Sequence, residues 1–478
     1  MFADLGTAAP SAAGLYFASD GGLHVLVVRP ADDGAARAAV ASMMSKGRIK
    51  SERRNQSPPV TIERAQFTFA ELSDWRDLES DSVLTDLPGL VMLDLDERRN
   101  RVVVGIALDA PASTRAAIQS RSARLGIDSG AVVIENMPAL KLQSSAPTPM
   151  ALSLSPGVTL NSNFDSLVGG IDVRMNGAGT CTSGPIVEHN GVPKMVLPTH
   201  CSTTWGGLDN TTVSNGGNLR GVESDDPAWY WCGVNHCRDS DASLFQLNSP
   251  SYPNYKRGRI ARPTSRSNTA YGPLVVDTIN PYFEVAAIDL DNTIVGQEVQ
   301  KVGHVTGWTY GNVTETCANI YKGSFPPPYD LTRCAYKADY ISDGGDSGSP
   351  VFKWSSGNSV LLLGTHIGRD GDASFSKFSR IASEMGGSML VAAVDERPLG
   401  VQISGPNYLP VSTAGQWLAN QYGGTGPYTF TWTVDGQTIT NTSTLDFTFQ
   451  TTGGRSINLT VSDAKGATVT QSYSAYAY

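Results

Sequence analysis

All six cysteines of this 478-residue chain lie within one central stretch, and that confinement divides the chain into three parts. The first 150 residues contain no cysteine, and neither do residues 335–478. An even number of cysteines at pairable spacings is typical of a chain that is cross-linked in an oxidising compartment. We therefore expect a domain boundary on each side of the stretch and disulfides within it, formed by Cys181, Cys201, Cys232, Cys237, Cys317 and Cys334.

The composition excludes several classes of protein. Only 17% of the residues are charged, against roughly 25% in soluble domains, and 49 are glycine, which favours turn-rich β structure. An apolar fraction of 40% and a net charge of only −9 exclude a disordered chain. The chain has no run of about 18 apolar residues, so no transmembrane helix is predicted. Its excess of acidic over basic residues argues against a nucleic-acid partner.

Residues 1–142 predict an α+β domain. A short apolar strand at Gly22–Val28 precedes an Ala- and Met-rich helical segment. The runs Leu90–Leu95 and Arg101–Leu108 are joined by polar residues, which predicts a hairpin. Ser113 is a candidate cap of the next helix, and Gly126 stands where a glycine would end it.

The rest of the chain predicts β structure. Residues 143–165 are Ser-, Pro- and Ala-rich and are expected to form an exposed linker that contains a processing site. In residues 166–395, short β-prone runs alternate with turns, and helix signals are almost absent before Ser376–Met385. That pattern predicts a sandwich or a pair of barrels. Residues 396–478 predict an Ig-like β-sandwich, with Asp435-Gly436 as one of its turns.

The most informative motif is the hexapeptide 345–350, Gly-Asp-Ser-Gly-Ser-Pro. Its glycines permit a tight turn in which successive N–H groups face one concavity. Ser347 is the candidate nucleophile, and the amides of Gly345 and Ser347 are the candidate oxyanion donors for acyl transfer. The alternative is a Gly/Ser turn without chemistry.

A serine nucleophile needs a base, and the chain has six histidines that could supply one. His200 ends an apolar run and directly precedes Cys201, so a disulfide to Cys181 would fix its turn. Asp241, at the start of an alternating segment, is the candidate partner of the imidazole, and Asp239 is the runner-up. The order of these residues along the chain, with the serine of the hexapeptide last, favours a Ser-His-Asp triad.

These motifs resemble those of the chymotrypsin-fold serine proteases, in particular the bacterial α-lytic protease and streptogrisin branch. The similar segments are 167–171 (mature amino terminus), 181–184 (first disulfide), 199–201 (histidine motif), 303–311 (start of the second barrel) and 345–350 (serine motif). The resemblance spans residues 166–395 and implies a mainly β protein with two six-stranded antiparallel barrels and the triad in the cleft between them. Ser349 departs from the glycine that many members have there.

The resemblance also implies the lining of the S1 pocket, which binds P1, the residue before the scissile bond. Ile341 stands six residues before Ser347, where trypsin-like members carry a carboxylate, so a basic P1 residue is not expected. Ser342 follows, and His366 stands where glutamate-cutting relatives use a histidine, helped by a serine hydroxyl, to bind the P1 carboxylate. We expect an acidic P1 residue, with an apolar or medium-sized one as the alternative.

Residues 1–142 resemble the pro-region of the same branch, on segments 94–104 and 131–135. This implies a folding chaperone and inhibitor that is removed by autoproteolysis, with the cut near residues 164–166. The physical reason for such a template is that barrels of high contact order fold slowly. The alternative is an unrelated α+β accessory domain.

The expected protein is therefore a secreted, self-processing serine endopeptidase. It acts as a monomer without cofactor or metal, and its partners are protein or peptide substrates and its own pro-domain. The N-terminus lacks a signal-peptide pattern, which we interpret as a leader missing from this sequence. The tail resembles PKD or Ig-like modules on residues 426–428, Trp432 and residues 461–463. The alternative is therefore a non-catalytic adhesin or binding protein on a protease scaffold, with this tail as its binding part.

Overall fold

A computed structural model of the chain contains two compact units, residues 1–393 and residues 394–478. Both units consist mainly of β-strands, as the sequence predicts. Among the described residues, no helix is long and apolar enough to cross a membrane. The structure describes residues 2–46, 48–49, 58–79, 84, 86–142, 157–248, 255–290, 293–323, 328–393, 399–422, 428–463 and 466–478.

The N-terminal region, residues 1–142, alternates helices with strands. Its helices are Phe2–Ala8, Asp33–Ser45, Phe69–Leu78 and Ala112–Arg124, with a 3-10 turn at Pro30–Asp32. Its strands are Ala12–Phe17, Leu23–Val27, Val60–Arg64, Leu90–Asp96, Arg101–Ala107, Val132–Met137 and Lys141–Leu142. The first three of these strands form a small sheet of their own.

Two local predictions for this region have opposite outcomes. The predicted hairpin is confirmed, because Leu90–Asp96 and Arg101–Ala107 pair in antiparallel register. Gly126 follows the helix with φ +73°, a conformation that favours glycine. The prediction that Ser113 caps this helix is wrong: the helix begins at Ala112 after Pro111, so Ser113 lies in its first turn.

The central region, residues 157–393, consists of strands and one helix. Its helix is Phe378–Met385, in the segment where the sequence predicts one, and Thr199–Cys201 is a 3-10 turn. Its strands are Leu167–Gly169, Asp172–Met175, Gly179–Thr182, Ile186–His189, Val192–Leu197, Thr212–Asn215, Asn218–Asp225, Tyr230–Cys232, Asn235–Arg238, Ser243–Leu247, Tyr255–Ala261, Tyr282–Ile288, Glu298–Gly303, Gly307–Lys322, Asp330–Ala338, Pro350–Ser356, Ser359–Arg369, Ala373–Lys377 and Met389–Leu390.

The central strands form one eight-stranded sheet and most of a second sheet of fifteen strands. The count of two six-stranded barrels stays a prediction. Three disulfides cross-link the region, and the predicted pair Cys181–Cys201 is among them; the other pairs are Cys232–Cys237 and Cys317–Cys334.

The N-terminal and central regions share one sheet. Leu90–Asp96 pairs antiparallel with the long strand Gly307–Lys322, so the larger sheet continues from one region into the other. Tyr321 and Tyr329, at the end of the central hairpin, are buried in the same hydrophobic cluster as Leu93 of the N-terminal region. This shared sheet and core explain why residues 1–393 form one compact unit.

The segment just before residue 166 is folded against the central region. Leu160 and Phe164 are buried in its main core, and Thr159 forms a bridge with Val275. The sequence predicts an exposed linker over this stretch, because Ser and Pro dominate its composition. Residues 143–156 of that linker lie outside the described residues.

Residues 399–478 form a three-stranded and a five-stranded sheet around one hydrophobic core, which includes the buried Trp417 and Trp432. The Asp435-Gly436 turn has positive φ at both residues, as its sequence predicts. The strands are Gly400–Ser404, Tyr408–Leu409, Ala414–Tyr422, Thr429–Val434, Gln437–Thr440, Thr444–Thr448, Gly453–Ser462 and Thr468–Ala477.

Candidate active site

The structure brings together the three candidate triad residues, which are far apart in sequence. His200 Nε2 lies 2.7 Å from Ser347 Oγ, and His200 Nδ1 lies 2.9 Å from Asp241 Oδ2. The backbone N–H of His200 also donates to Asp241 Oδ1 at 3.3 Å. All three side chains are buried. The two ring nitrogens of His200 therefore have different partners: Nε2 contacts a hydroxyl, and Nδ1 contacts a carboxylate.

Two neighbouring strands position His200 and Asp241, the candidate base and its candidate carboxylate. His200 lies in the 3-10 turn that follows Val192–Leu197, and the Cys181–Cys201 disulfide anchors that turn. Asp241 comes just before Ser243–Leu247, which pairs antiparallel with Val192–Leu197 so that Leu197 faces Ser243. The end of one strand thus meets the start of the other.

The runner-up Asp239 is not next to the imidazole. Its carboxylate accepts a hydrogen bond from the Tyr230 hydroxyl at 3.3 Å and lies 3.6 Å from Arg380. In an extended segment, residues two apart point to the same face, so Asp239 and Asp241 are equivalent candidates on this criterion. The geometry favours Asp241 as the partner of His200.

The hexapeptide forms a tight turn with Ser347 in its middle. Gly345 has φ +103° and Gly348 has φ +92°, which a side chain would strain. Within the described chain, no hydrogen-bond acceptor is found for the backbone N–H of Gly345 or of Ser347. Both amides are therefore available to a ligand, as oxyanion donors must be.

A buried ion pair supports this turn from behind. Lys301 Nζ lies 3.1 Å from Asp346 Oδ2, both side chains are fully buried, and Thr306 Oγ1 donates to the same carboxylate at 2.6 Å. Burial raises the pKa of Asp346, but Lys301 and Thr306 outweigh it and hold the pKa below its usual value. Asp346 therefore stays ionised and fixes the backbone next to Ser347.

Asp241 has a second cationic neighbour that the sequence did not indicate. Lys322 Nζ donates to Asp241 Oδ2 at 3.2 Å. Burial by itself raises the pKa of Asp241, but Lys322 and His200 outweigh it and hold the pKa far below its usual value. The Asp241 carboxylate is therefore ionised at neutral and mildly acidic pH.

The three predicted S1 residues lie beside the hexapeptide. Ser342 is buried, and no hydrogen-bond partner of its hydroxyl is found in the described part of the chain. His366 is fully buried, with Nδ1 3.0 Å from the Tyr340 hydroxyl. Burial lowers the pKa of His366 to about 3, so its ring is neutral at ordinary pH. The carbonyl of Ile341 accepts a hydrogen bond from Thr309 Oγ1 at 2.7 Å.

Arg369 is a further residue near this pocket that the sequence analysis missed. It ends the strand Ser359–Arg369, which also carries His366, and its Nη1 donates to the carbonyl of Ser342 at 3.4 Å. Its charge also lowers the pKa of His366, though less than burial does. The Arg369 guanidinium thus contacts one predicted S1 residue, Ser342, and comes from the strand that carries another, His366.

The end of the N-terminal region lies against the same strand. Lys141–Leu142 pairs antiparallel with Gly368–Arg369. The residue before this pair is Ile367, whose carbonyl accepts a hydrogen bond from Ser347 Oγ at 3.0 Å. An extended segment of the chain is therefore paired with the strand that borders the nucleophile.

The other histidines each have a local partner away from the serine. His24 Nδ1 pairs with Glu63, His189 Nε2 with the carbonyl of Gly386, His236 Nδ1 with Asp330 and His304 Nδ1 with Asn161. Within the described ranges, no group of three metal-ligating residues is close enough to hold a metal ion.

Comparison with known proteins gives only weak likenesses. No protein-family model matches the chain, and no curated protein matches it. A glutamic acid specific serine protease, described as using a novel histidine triad in substrate binding, is 20% identical over 47% of this chain and 100% of its own, with a TM-score of 0.34. The secreted serine protease VesC from Vibrio cholerae is 12% identical over 66% of this chain and 71% of its own, with a TM-score of 0.24.

The tail has a likeness of its own. The PKD1 domain of the Vibrio cholerae metalloprotease PrtV is 18% identical over 17% of this chain and 98% of its own, with a TM-score of 0.15. Scores this low carry no functional argument.

Proposed function

We propose that the chain is a serine endopeptidase that cleaves peptide bonds through an acyl-enzyme. The observation that carries the proposal is the hydrogen-bonded series Asp241–His200–Ser347, with both links at 2.9 Å or less. Ser347 Oγ attacks the scissile carbonyl while His200 Nε2 takes its proton, and Asp241 holds the ring and stabilises the imidazolium. The amides of Gly345 and Ser347 donate to the developing oxyanion. His200 then gives this proton to the leaving amine as the peptide C–N bond breaks, which leaves the acyl-enzyme. Water, deprotonated by the same base, attacks the acyl-enzyme, and Ser347 Oγ leaves with the proton from His200.

Hydrolysis of a denatured protein substrate tests this proposal. The processed chain should cut the substrate, and prior treatment with a fluorophosphonate should abolish cutting. An adhesin on a protease scaffold would bind a ligand and leave the substrate intact, which would contradict the proposal. The disulfides favour an extracellular site of action for such an enzyme.

We propose further that the enzyme prefers an acidic P1 residue. Burial raises the pKa of Tyr340 well above its usual value, so its hydroxyl keeps its proton and can donate to His366 Nδ1. In that arrangement, the ring proton of His366 is on Nε2, so the imidazole is a hydrogen-bond donor. The Ser342 hydroxyl is a second donor, and Arg369 adds a positive charge. Two donors and a cation suit a carboxylate side chain.

Arg369→Gln should lower kcat/KM for a Glu-P1 peptide by about 10- to 100-fold, because a charged hydrogen bond is typically worth roughly 1.5–3 kcal/mol. The value for a matched Ala-P1 peptide should stay nearly unchanged. Arg380→Gln is the control, since Arg380 lies on the same region but is paired with Asp239. A wild-type enzyme that prefers an apolar P1 residue would contradict the preference.

The N-terminal region is proposed to inhibit the enzyme until it is cut off. Lys141–Leu142 occupies the edge of the strand that a substrate would use, with main-chain pairing to Gly368–Arg369. The predicted cut near residues 164–166 stays a prediction. The burial of Leu160 and Phe164 argues against a cut beside these two residues, because a protease needs an accessible, extended segment.

The contact between the two regions contains several buried carboxyl groups. Asp94 and Glu97 come from the N-terminal hairpin, and Glu315 comes from the central strand that pairs with it. Thr316 donates a hydrogen bond to Glu97 across the contact. Burial raises the pKa of Asp94 well above its usual value, that of Glu97 to about 8 and that of Glu315 to about 7. Lys337, 3.5 Å from Glu315, opposes this shift only in part.

The cleaved N-terminal region should bind the central region less tightly as the pH rises. The separated parts expose these carboxyls, whose pKa values return to about 4. The complex therefore binds more protons than its parts between about pH 4.5 and 8, and its stability falls through that window. We expect the dissociation constant to rise at least about tenfold from pH 5 to pH 8.

This dissociation constant can be measured by titrating the isolated N-terminal region against processed enzyme that has been inactivated with a fluorophosphonate. Glu97→Gln mimics the protonated side chain and should reduce the pH dependence. Glu135→Gln, which removes an exposed partner of Arg99, is the control. Equal affinity at pH 5 and pH 8 would contradict the assignment of these carboxyls.

A further inference from the structure

The tail, residues 394–478, has a sheet face that is rich in hydroxyl groups. Alternate residues of its five-stranded sheet are buried in the tail core, Trp432 and Leu459 among them. Because successive residues of a strand point to opposite sides of the sheet, the residues between the buried ones form an outer face. The five strands, in their order across the sheet, are Tyr408–Leu409, Thr468–Ala477, Gly453–Ser462, Thr429–Val434 and Gln437–Thr440.

Three rows of hydroxyl or amide side chains cross the middle of this outer face. Within the rows, the Thr460 and Thr470 hydroxyls are 3.0 Å apart, and the Ser472 hydroxyl donates to Asn458 Oδ1 at 2.6 Å. A hydroxyl can donate one hydrogen bond and accept two, so these side chains keep capacity for a ligand. Each row takes one residue from each of three neighbouring strands: Thr429, Ser462 and Thr468; Thr431, Thr460 and Thr470; Thr433, Asn458 and Ser472.

The described residues of the outer face carry no charge. Arg455 is the only charged residue within the five strands, although 17% of the whole chain is charged. Its guanidinium lies over the ring of Phe449, which is buried in the tail core, and its Nη1 is 3.0 Å from Asp435 Oδ2. The one charge of the sheet is therefore paired and lies on the core side. The outer face complements a neutral ligand rather than an ionic one.

Three exposed tyrosines lie at one end of the outer face. Tyr408 and Tyr476 are paired residues of neighbouring parallel strands, so their side chains point to the same side of the sheet. The Tyr408 ring stacks on the rings of Tyr476 and Tyr478, with centroids 5.4 Å and 4.8 Å apart. These distances exceed the roughly 3.5–4.0 Å of direct carbon contact, so the rings are offset. Tyr408, Tyr476 and Tyr478 remain 63%, 44% and 51% exposed.

The tyrosines continue the hydroxyl rows on one strand. Along Thr468–Ala477, alternate residues from Thr470 to Tyr476 lie on the outer face, so Ser472 and Ser474 lead from the rows to the aromatic rings. A stepped aromatic platform and a field of hydrogen-bonding groups are thus side by side on one neutral surface.

We propose that this outer face binds a neutral, linear polysaccharide. A sugar ring has an apolar C–H face, which packs on an aromatic ring, and hydroxyls at its edge, which donate and accept hydrogen bonds. The tyrosine platform and the hydroxyl rows supply these two kinds of contact together. The tail would therefore hold the chain on a polysaccharide surface. This proposal holds whether or not Ser347 is a nucleophile.

A second copy of the chain fits this face less well. Interfaces between copies are apolar at their centre, whereas hydroxyl and amide side chains occupy the centre of this face. The exposed tyrosines lie at its end, beyond Ser474.

The test is depletion of the full chain from solution by insoluble polymers. The chain carries Ser347→Ala, so that the tail stays attached. Cellulose and chitin are the two neutral polysaccharides, which differ in their sugar, and anionic alginate beads and collagen fibres are the comparison polymers. We expect binding to cellulose or chitin and none to alginate or collagen. Binding should change by less than about twofold between about 0.05 M and 0.5 M NaCl, because no charge takes part.

Two substitutions locate the binding on the outer face. Tyr408→Ala removes the ring that stacks on both of its neighbours, and Thr470→Lys places a charge in the middle row. Each should weaken binding at least about tenfold. Gln416→Lys is the control, because Gln416 is exposed on the three-stranded sheet of the same unit, where a lysine can still pair with Asp446. It should bind like the parent chain. Thermal unfolding shows whether each variant is folded.

Several outcomes would overturn the proposal. A parent chain that binds neither cellulose nor chitin does so, whether it binds collagen or, by sedimentation, associates with itself. Binding that falls steeply with salt would show adsorption through charges elsewhere on the chain. Folded Tyr408→Ala and Thr470→Lys chains that bind like the parent would place the binding on another surface. Loss of folding in both variants would contradict the exposed position of these side chains.

Discussion

Ser347→Ala should lower kcat/KM by roughly 10⁴- to 10⁶-fold and leave the 478-residue chain uncut. The substitution removes the Ser347 hydroxyl, whose oxygen lies 2.7 Å from His200 Nε2, and adds no atom to the buried turn. Residual activity would come from the oxyanion donors and from substrate binding. Hydrolysis of a peptide and the size of the chain on a denaturing gel measure both effects.

The matched control is Ser214→Ala. The Ser214 hydroxyl donates to the carbonyl of Arg174, on the eight-stranded sheet, and takes no part in the triad. This variant should process itself and cut substrate like the wild-type chain. A Ser347→Ala chain that still cuts its own linker at the wild-type rate would contradict the assignment of the nucleophile.

Asp241→Asn should lower kcat by about 10⁴-fold, with a smaller effect on KM. An amide in this position cannot stabilise the imidazolium, and it favours the wrong tautomer of His200. The substitution also leaves the buried Lys322 without a counter-charge, so we expect a loss of roughly 3–5 kcal/mol in the free energy of unfolding. Single-turnover kinetics and thermal unfolding separate the two effects.

Asp239→Asn is the matched control for that variant. Asp239 stands two residues earlier, on the same segment, and its partners are Tyr230 and Arg380 rather than His200. It should change kcat by less than about threefold, as surface substitutions generally have small effects. Inactivation by Asp239→Asn, with Asp241→Asn still active, would reverse the assignment of the carboxylate.

The features that the sequence predicts are those set by nearby residues. The Asp435-Gly436 turn, the glycine at 126 and the hairpin around residues 96–101 each depend on a few neighbours whose backbone preferences are strong. Ser347 is predicted in the same way, because the hexapeptide itself supplies the turn and the amides. The need of a serine for a base, and of the base for a carboxylate, calls only for a histidine and an acid. His200 is favoured by its place before Cys201, and Asp241 by its place at the start of an alternating segment.

The features that the sequence analysis missed depend on long-range packing. Lys322 and Asp241 are 81 residues apart, and Lys301 and Asp346 are 45 apart, so no local pattern shows that each pair is in contact. The linker composition predicts that Leu160 is exposed, and this prediction is wrong for the same reason. Its backbone N–H donates to the carbonyl of Leu274, and no signal within the linker itself indicates that partner.

The central claim is that Ser347 is a nucleophile activated by His200, and fluorophosphonate labelling tests it most directly. The full chain, after processing, is treated with the probe, digested and analysed by mass spectrometry to locate the adduct. We predict one adduct, on Ser347, that forms at least about 10³-fold more slowly in His200→Ala. An unlabelled Ser347 in a folded, processed chain, or equally fast labelling of His200→Ala, would contradict the claim.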